Sequence, residues 1–208
     1  MKNIESIVIP LFSSPVVIYQ IEEEINFLQH IDSVSFKRIK EHTNDNLKPT
    51  YISSDLKILN TYTDTKKIVD KYFNQFKNDV MKCNDTEFKM TTSWVTKTVK
   101  NSMSHYHNHK NSVFSGVLYL SGGKDLAPIE FKNYNTQDIL FDVKEYNIYN
   151  SDAWQLYPQK NMIIFFKSNL IHKIGHQKID ADRYSIAFNY FPEGDIGYDD
   201  SSANINLK

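Results

Sequence analysis

The sequence predicts a mainly β chain with helices on its N-terminal side, an α+β protein in which a β-barrel or jelly roll is buttressed by helices. The first observation is a series of short β-branched and aromatic runs from Phe88 onward, separated by polar or glycine-containing turns, which is typical of an all-β sandwich or barrel. The second is helical apolar spacing before that point. With 208 residues and 40% hydrophobic content, we expect a single domain, 1–208, with a sizeable core.

Residues 1–87 are expected to supply an N-terminal strand and the supporting helices. Valine and isoleucine in 4–20 indicate one or two strands bent at "SSP". Residues 22–42 are charged with scattered apolar positions and are predicted to be helical. The clearest helix covers 63–82, where apolar residues recur at i, i+3 and i+4, and Thr63 or Asp64 is a suitable N-cap.

Residues 88–192 are expected to form the barrel. The predicted strands are "FKMTTSWVTKTVK", "SVFSGVLYL", "PIEFKN", "ILFDV", "NMIIFFK" and "RYSIAFNYF". The run 162–166 is continuously apolar, as expected of a strand that is buried on both faces. The polar tail 193–208 is predicted to be frayed.

Composition makes several classes of function less favoured without excluding nucleic acid as a partner. A formal net charge of −1 provides no electrostatic footprint for nucleic-acid binding, and Lys97 and Lys100 are best interpreted as the solvated face of a strand. Cys83 is the only cysteine, so a metal would have to be held by histidine or oxygen ligands. No signal-peptide core or membrane-length apolar run is found. We therefore expect a cytoplasmic protein without a membrane partner; a homodimer remains possible.

The stretch "SHYHNHK" at 104–110 carries histidines at every second position. Residues i and i+2 of an extended segment point to the same side, so either His105 and His107 or His107 and His109 could supply two metal ligands. A third ligand must come from a distant strand. His172, which follows the buried run 162–166, could fill this role.

The stretch "RYSIAFNYF" places Arg183, Ser185, Ala187 and Asn189 on one strand face and four large apolar or aromatic residues on the other. Two interpretations remain open. In the first interpretation, the polar face is exposed to solvent, as in an ordinary antiparallel sheet. Alternatively, it lines a cavity in which Arg183 binds a carboxylate through two hydrogen bonds, with Ser185 as an additional donor.

In combination, these segments resemble the 2-oxoglutarate/iron(II)-dependent oxygenases. The chain looks most like an uncharacterised branch that is common in phages and marine bacteria. "IPLFSSPVVIYQI" resembles the opening of that branch and "TTSWV" its Ser-Trp strand. "HNHKNSVFSGVLYL", "IIFFKSNLIHKI" and "RYSIAFN" resemble its three site motifs, in the same order along the chain.

The resemblance implies a double-stranded β-helix with iron at one mouth of the barrel, and Fe(II), 2-oxoglutarate and O₂ as cofactor and co-substrates. It implies oxidative decarboxylation of 2-oxoglutarate coupled to hydroxylation of an unknown small molecule or side chain. If the protein is phage-encoded, it would act in the host cytoplasm. Carried over by position, the resemblance implies that the metal ligands are His107, His109 and His172. It also implies that the distal carboxylate of 2-oxoglutarate is bound by Arg183 and Ser185, with Tyr119 as a further candidate for this pocket.

The departure from the superfamily is His109, which stands where an aspartate or glutamate is expected. His105 with His107 is the competing register. Further candidates for partners of an imidazole or for substitute ligands are Asn111, Asn189, Asp125, Glu130 and Asp152. Two other functions remain open: a cupin-like enzyme with three histidines that does not use 2-oxoglutarate, and a non-catalytic β-sandwich binding module.

Overall fold

The computed structural model describes residues 7–39, 48–83, 85–134 and 142–207. In this part of the chain the α-helix α1 covers Thr63–Gln75 and continues into a π-helical turn, Phe76–Val80. Short 3-10 helices lie at Phe27–Ser33, Ile58–Asn60 and Asp199–Ser201. The strands are β1 Val17–Gln20, β2 Phe36–Arg38, β3 Lys48–Pro49, β4 Tyr51–Ser53, β5 Glu87–Thr98, β6 Ser102–Met103, β7 Phe114–Tyr119, β8 Ile129–Lys132, β9 Ala153–Leu156, β10 Met162–Lys167, β11 His172–Ile174, β12 Arg183–Ile196 and β13 Ala203–Ile205.

Two antiparallel sheets face each other, as expected of a double-stranded β-helix. The larger sheet has the order β1-β10-β7-β12-β5-β4-β2, with β13 paired to β12, and the smaller has the order β11-β8-β9. A short parallel pair joins β3 and β6. The predicted fold class is confirmed: a mainly β barrel with helical support on the N-terminal side.

The outer face of the larger sheet packs against α1. The helix buries Val69, Tyr72 and Phe73, as the apolar spacing predicted. Phe73 stacks on Tyr190 of β12 with ring centroids 3.6 Å apart and nearly parallel planes. Phe76, in the π-helical turn, stacks on Phe165 of β10 at 5.4 Å. These aromatic contacts fix the helix against the two strands that lead to the site.

The inner face of the larger sheet forms a second core with the smaller sheet. Met162, Ile164 and Phe166 of β10 pack there with Ile129 and Phe131 of β8. All five residues of 162–166 are buried, which confirms that this strand is covered on both faces. The barrel interior is therefore packed over much of its length, and the site occupies one end of it.

Two helical predictions were wrong in part. The described part of 22–42, residues 22–39, forms a short 3-10 helix and the strand β2, whose pairing with β4 satisfies its backbone on one side. This short helix buries Phe27 against Tyr62, at a centroid distance of 4.5 Å. The helix α1 begins at Thr63 with Tyr62 as N-cap and no side-chain capping bond, so neither Thr63 nor Asp64 caps it.

Other boundaries also differ from the prediction. The tail after Pro192 is not frayed: β12 continues to Ile196 and pairs with β13. Within 4–20 the described residues contain only β1, and "ILFDV" lies mostly outside them. The strand β9 was missed because "AWQL" is short and its first three residues are exposed. No helix among the described residues is long and apolar enough to cross a membrane.

The stacked pair of Phe73 and Tyr190 generates the first prediction. Phe73 is 2% exposed, so Phe73→Ala should leave a cavity between helix and barrel and lower the free energy of unfolding by about 3–5 kcal/mol, measured by urea denaturation. The matched control is Phe12→Ala at a side chain that is 99% exposed, for which a change within about 0.5 kcal/mol is expected. Equal losses in both variants would contradict the assignment of Phe73 to the core.

Candidate metal centre

The histidine-rich segment lies against the edge of the smaller sheet. His107 and His172 form an antiparallel bridge in which each backbone N–H donates to the carbonyl of the other at 2.9 Å. The backbone N–H of His109 donates to the carbonyl of Ser168 at 3.0 Å. These bonds hold the segment in an extended form beside β11, so that side chains from the distant segments meet.

An extra residue in this segment explains why His105 is separated from the other histidines. The backbone N–H of Ser104 donates to the Ile174 carbonyl, whereas His107 pairs with His172. The advance of three residues from Ser104 to His107 is therefore paired with an advance of only two residues between Ile174 and His172, which is the arrangement of a β-bulge. The regular alternation from 105 to 109 is broken at this point, and only His107 and His109 keep a common side.

Three imidazoles converge at one end of the barrel. One ring nitrogen from each of His107, His109 and His172 lies within 4.8 Å of the others, and His105 is not part of this group. The Nε2 atoms of His109 and His172 are 3.2 Å apart. Two ligands about 2.1 Å from a shared ion and at right angles to each other would be roughly 3 Å apart, so this spacing fits a metal ion.

Backbone carbonyls orient two of the three rings. The Nδ1 atom of His107 lies 2.8 Å from the carbonyl of His105, and the Nδ1 atom of His172 lies 2.8 Å from the carbonyl of Leu170. Since a carbonyl can only accept, each Nδ1 must carry the proton and each Nε2 lone pair is directed away from the backbone. This is the tautomer in which Nε2 binds a metal.

Burial keeps two of the three imidazoles neutral in the absence of an ion. It lowers the pKa of His172 to about 3 and that of His109 to about 4, and in both cases the neighbouring His107 adds to the effect. Both imidazoles are therefore unprotonated at neutral pH, and no proton has to be displaced from them before a metal binds.

Aromatic side chains wall the centre on two sides. Trp94 of β5 stacks on His109 with centroids 5.5 Å apart, and Phe166 meets His172 edge-on at 4.9 Å. Across the smaller sheet, His172, Phe131 and the exposed Trp154 lie in one register row. The contact of Trp94 was missed from the sequence, although alternation along "SWVTKT" would have placed it on the face shared with Thr96 and Thr98.

Arg183 is buried at the far end of the same sheet face. It is 1% exposed, and its Nη1 donates to Ser185 Oγ at 3.3 Å. No carboxylate among the described residues pairs with it, and burial lowers its pKa. A fully buried guanidinium without a counter-ion is costly. The polar face of β12 therefore lines the interior, and the solvent-face interpretation was wrong.

Other polar atoms beside Arg183 also lack partners. Its own Nε, the Tyr119 hydroxyl and the Thr98 hydroxyl are buried without a hydrogen bond among the described residues. The Arg183 guanidinium lies 5.0 Å from the Tyr119 ring centroid. Burial raises the pKa of the Tyr119 hydroxyl to about 12, although the guanidinium opposes this rise. Thr98 lies opposite Arg183 in the sheet.

Asn189 belongs to a buried network that ends beneath the histidine segment. It donates to Thr92 Oγ1 at 2.9 Å and accepts from Ser115 Oγ at 2.7 Å. Ser115 also bonds Ser168 Oγ at 2.8 Å, and the carbonyl of Ser168 accepts from the His109 N–H. Asn189 thus supports the His109 backbone across two strands and contacts no imidazole.

The remaining candidates do not join the centre. Asn111 has a φ of 58°, so it serves as a turn residue in the left-handed region, which asparagine tolerates. Asp125 and Asp152 are exposed. The Glu130 carboxylate bonds Tyr106 and Gln155. Among the described residues, no carboxylate lies in the group formed by the three histidines.

Part of the chain matches a known protein family. Residues 92–189 match the family described as "Putative 2OG-Fe(II) oxygenase". This range begins within β5, ends within β12, and contains the three histidines, Arg183 and Ser185. Over this range the chain is similar to the 2-oxoglutarate/iron(II)-dependent oxygenases. Members of that family require Fe(II), 2-oxoglutarate and O₂, and the comparisons support neither the cupin-like alternative nor the non-catalytic module.

Solved structures share the fold at low sequence identity. A 2OG-Fe(II) oxygenase family oxidoreductase from Burkholderia pseudomallei is 13% identical with a TM-score of 0.57, and 78% of each chain is covered. HygX from Streptomyces hygroscopicus, solved with nickel, 2-oxoglutarate and hygromycin B, is 9% identical with a TM-score of 0.60, covering 86% of this chain and 83% of HygX. A prolyl hydroxylase from Trichoplax adhaerens is 13% identical with a TM-score of 0.55, with coverage of 79% and 74%. No curated protein sequence matches the chain.

The geometry of the centre yields a prediction about the histidines. His109→Ala removes one of the three converging nitrogens and should weaken anaerobic binding of Co(II) by more than about 100-fold. This exceeds the loss of about 10–100-fold that is typical when a residue that only supports a metal ligand is replaced. His105→Ala should bind Co(II) as the wild type does. Titration followed by visible absorption measures both affinities; the reverse outcome would move the ligand pair to positions 105 and 107.

Proposed function

We propose that the protein is a 2-oxoglutarate/iron(II)-dependent oxygenase in which His107, His109 and His172 hold the iron and Arg183 binds the distal carboxylate of 2-oxoglutarate. The observation that carries the proposal is the buried guanidinium without a carboxylate partner, on the same sheet face as Trp94, which stacks on His109. Thr98, opposite Arg183, lies four residues along β5 from Trp94, about 13 Å. A diacid extending between the two ends would compensate the buried charge.

Each residue has a definite task in this arrangement. When bound, iron supplies the oxidising chemistry that is driven by decarboxylation of 2-oxoglutarate. The three imidazoles bind the metal on one side and leave its other side open. Arg183 offers a planar pair of donors that matches a carboxylate, and Ser185 and Tyr119 add hydroxyl donors beside it. Trp94 and Phe166 exclude water from the metal side, which strengthens these interactions.

The neutral donor set distinguishes this centre from one with an acidic ligand. With His109 in place of a carboxylate, the metal complex carries one additional positive charge. We expect this to change the redox potential of the iron and the preference of the site among iron, copper and zinc. Three soft-to-borderline nitrogen donors bind all of these ions, so availability in the cell becomes a determinant of the metal loaded.

The proposed substrate is a small molecule or a side chain, oxidised in the cytoplasm, or in the host cytoplasm if the gene belongs to a phage. A single cysteine and a ferrous centre are both consistent with a reducing compartment. Nucleic acid is not favoured: Lys97 is paired with Asp182 at 2.9 Å and lies over the Tyr184 ring. Homodimerisation is compatible with the fold but does not contribute to the proposal.

The decisive experiment is an anaerobic titration of the metal-free protein with Fe(II) and then 2-oxoglutarate. A visible metal-to-ligand charge-transfer band is expected only when both are present. Admission of O₂ should then produce succinate slowly, even without the prime substrate. Absence of the band in protein that binds Fe(II) would refute the proposed site.

The buried charge of Arg183 generates a further prediction. Arg183→Met replaces the aliphatic stem by an unbranched apolar side chain and removes a buried charge, so the metal-free protein should become more stable by about 1–4 kcal/mol. With Ni(II) as an inert metal, 2-oxoglutarate at about 100 times its dissociation constant should stabilise the wild type by about 2.7 kcal/mol but leave the variant unchanged. Thermal and urea unfolding measure both effects.

The matched control is Arg38→Met, at the only other arginine of the chain. Arg38 is exposed and bonds the Tyr51 hydroxyl at 2.9 Å. This variant should keep the full stabilisation by 2-oxoglutarate. A response to 2-oxoglutarate that survives in Arg183→Met would show that another group binds the diacid.

A further inference from the structure

The bridge that carries His107 and His172 has a second set of side chains on its reverse side. Tyr106 and Lys173 are the sequence neighbours of the two histidines, and successive residues of an extended chain point to opposite sides. The Lys173 ammonium lies over the Tyr106 ring, 4.4 Å from its centroid. The two segments that supply metal ligands are thus also joined behind the metal centre.

Glu130 of β8 connects these two side chains. Its Oε1 accepts a hydrogen bond from the Tyr106 hydroxyl and lies 3.4 Å from the Lys173 ammonium. Its Oε2 accepts from Gln155 Nε2 at 2.7 Å. The side chains of Glu130 and Lys173 are only 13% and 19% exposed, so this ion pair is screened less by solvent than a surface pair.

The bulge makes such a connection necessary. Tyr106 lies in the segment that has one residue more than its partner, where the backbone ladder is interrupted. On the Ser104 side, a side-chain hydroxyl replaces a backbone acceptor: Ser104 Oγ accepts from the Ile174 N–H at 2.7 Å. With fewer backbone bonds at the bulge, side-chain bonds must fix its conformation, and with it the position of His107 relative to His172.

We propose that Glu130 is a positioning residue of the metal centre, which holds Tyr106 and Lys173 on the reverse side of the bridge and thereby sets the spacing of His107 and His172. Glu130 itself does not touch the metal. Lys173 is directly opposite Glu130 in the sheet, so the carboxylate bridges from its paired strand to the bulged segment. The inference rests on the proposed metal centre, and it adds residues that the centre depends on.

The test compares metal affinity in variants that each remove part of this contact. Tyr106→Phe removes one hydroxyl, Glu130→Ala removes every bond, and Glu130→Gln keeps an acceptor for Tyr106 but loses the charge. Co(II) affinity, titrated anaerobically without 2-oxoglutarate, should fall about 10–100-fold in Tyr106→Phe and Glu130→Ala. The Co(II) affinity of Glu130→Gln should fall by less than that of Glu130→Ala, which would be the partial rescue expected of a conservative change.

The chain offers a matched control on the outside of the larger sheet. The Tyr184 hydroxyl donates to Asp182 at 3.2 Å, and Lys97 pairs with the same carboxylate and lies over the Tyr184 ring. Tyr184→Phe therefore removes the same kind of hydroxyl from the same kind of cluster, at a strand that carries no metal ligand. Its Co(II) affinity should equal that of the wild type.

A second readout needs no metal. The N–H groups of His107 and His172 form the bridge, so their hydrogen exchange in the metal-free protein should accelerate about 10-fold in Tyr106→Phe and remain unchanged in Tyr184→Phe, as measured by NMR. Unchanged Co(II) affinity and bridge exchange in Tyr106→Phe and Glu130→Ala would overturn the inference, as would an equal loss in Tyr184→Phe. A wild type that binds Co(II) but gives no charge-transfer band with Fe(II) and 2-oxoglutarate would instead refute the proposed function alone.

Discussion

The strand β12 lies between β5 and β7 at the centre of the larger sheet, and both of its faces are buried at the end near Arg183. Each face therefore requires its own cover. Phe188 and Tyr190 pack on the outer side, where Phe73 of α1 is stacked. On the inner side, Arg183 and Ser185 face the barrel interior closed by the smaller sheet. Helix packing and the polar pocket are thus two consequences of one buried strand.

Much of this arrangement follows from period-2 alternation. Alternation placed Arg183 and Ser185 on one face of their strand, and continuous apolar character predicted a doubly buried β10. The sequence could not show whether the polar face was exposed to solvent or enclosed in the barrel, because serine and asparagine occur in both environments. Only the position of the smaller sheet decides this, and its strand β9 has only four residues, of which the first three are exposed.

The histidine register depended on a feature without a sequence signature. In a regular strand, His105, His107 and His109 would share one side, and spacing alone gave two equivalent pairs. The bulge between Ser104 and His107 removes this equivalence. Tertiary bonds between segments remote in sequence stabilise it, including that from Tyr106 to Glu130. Local patterns contain no information about such partners, so Glu130 was considered only as a substitute ligand and its bond to Tyr106 was missed.

The distribution of unsatisfied polar atoms links the fold to its chemistry. Native interiors leave few buried polar groups without partners. Five such side-chain atoms occur among the described residues, and three of them belong to Arg183, Tyr119 and Thr98 at one end of one sheet face. Unsatisfied polar atoms without a common cause would be spread over the interior. Their concentration on the sheet face that also carries Trp94 supports the proposed binding of a dicarboxylate, which would bring both a negative charge and several hydrogen-bond acceptors.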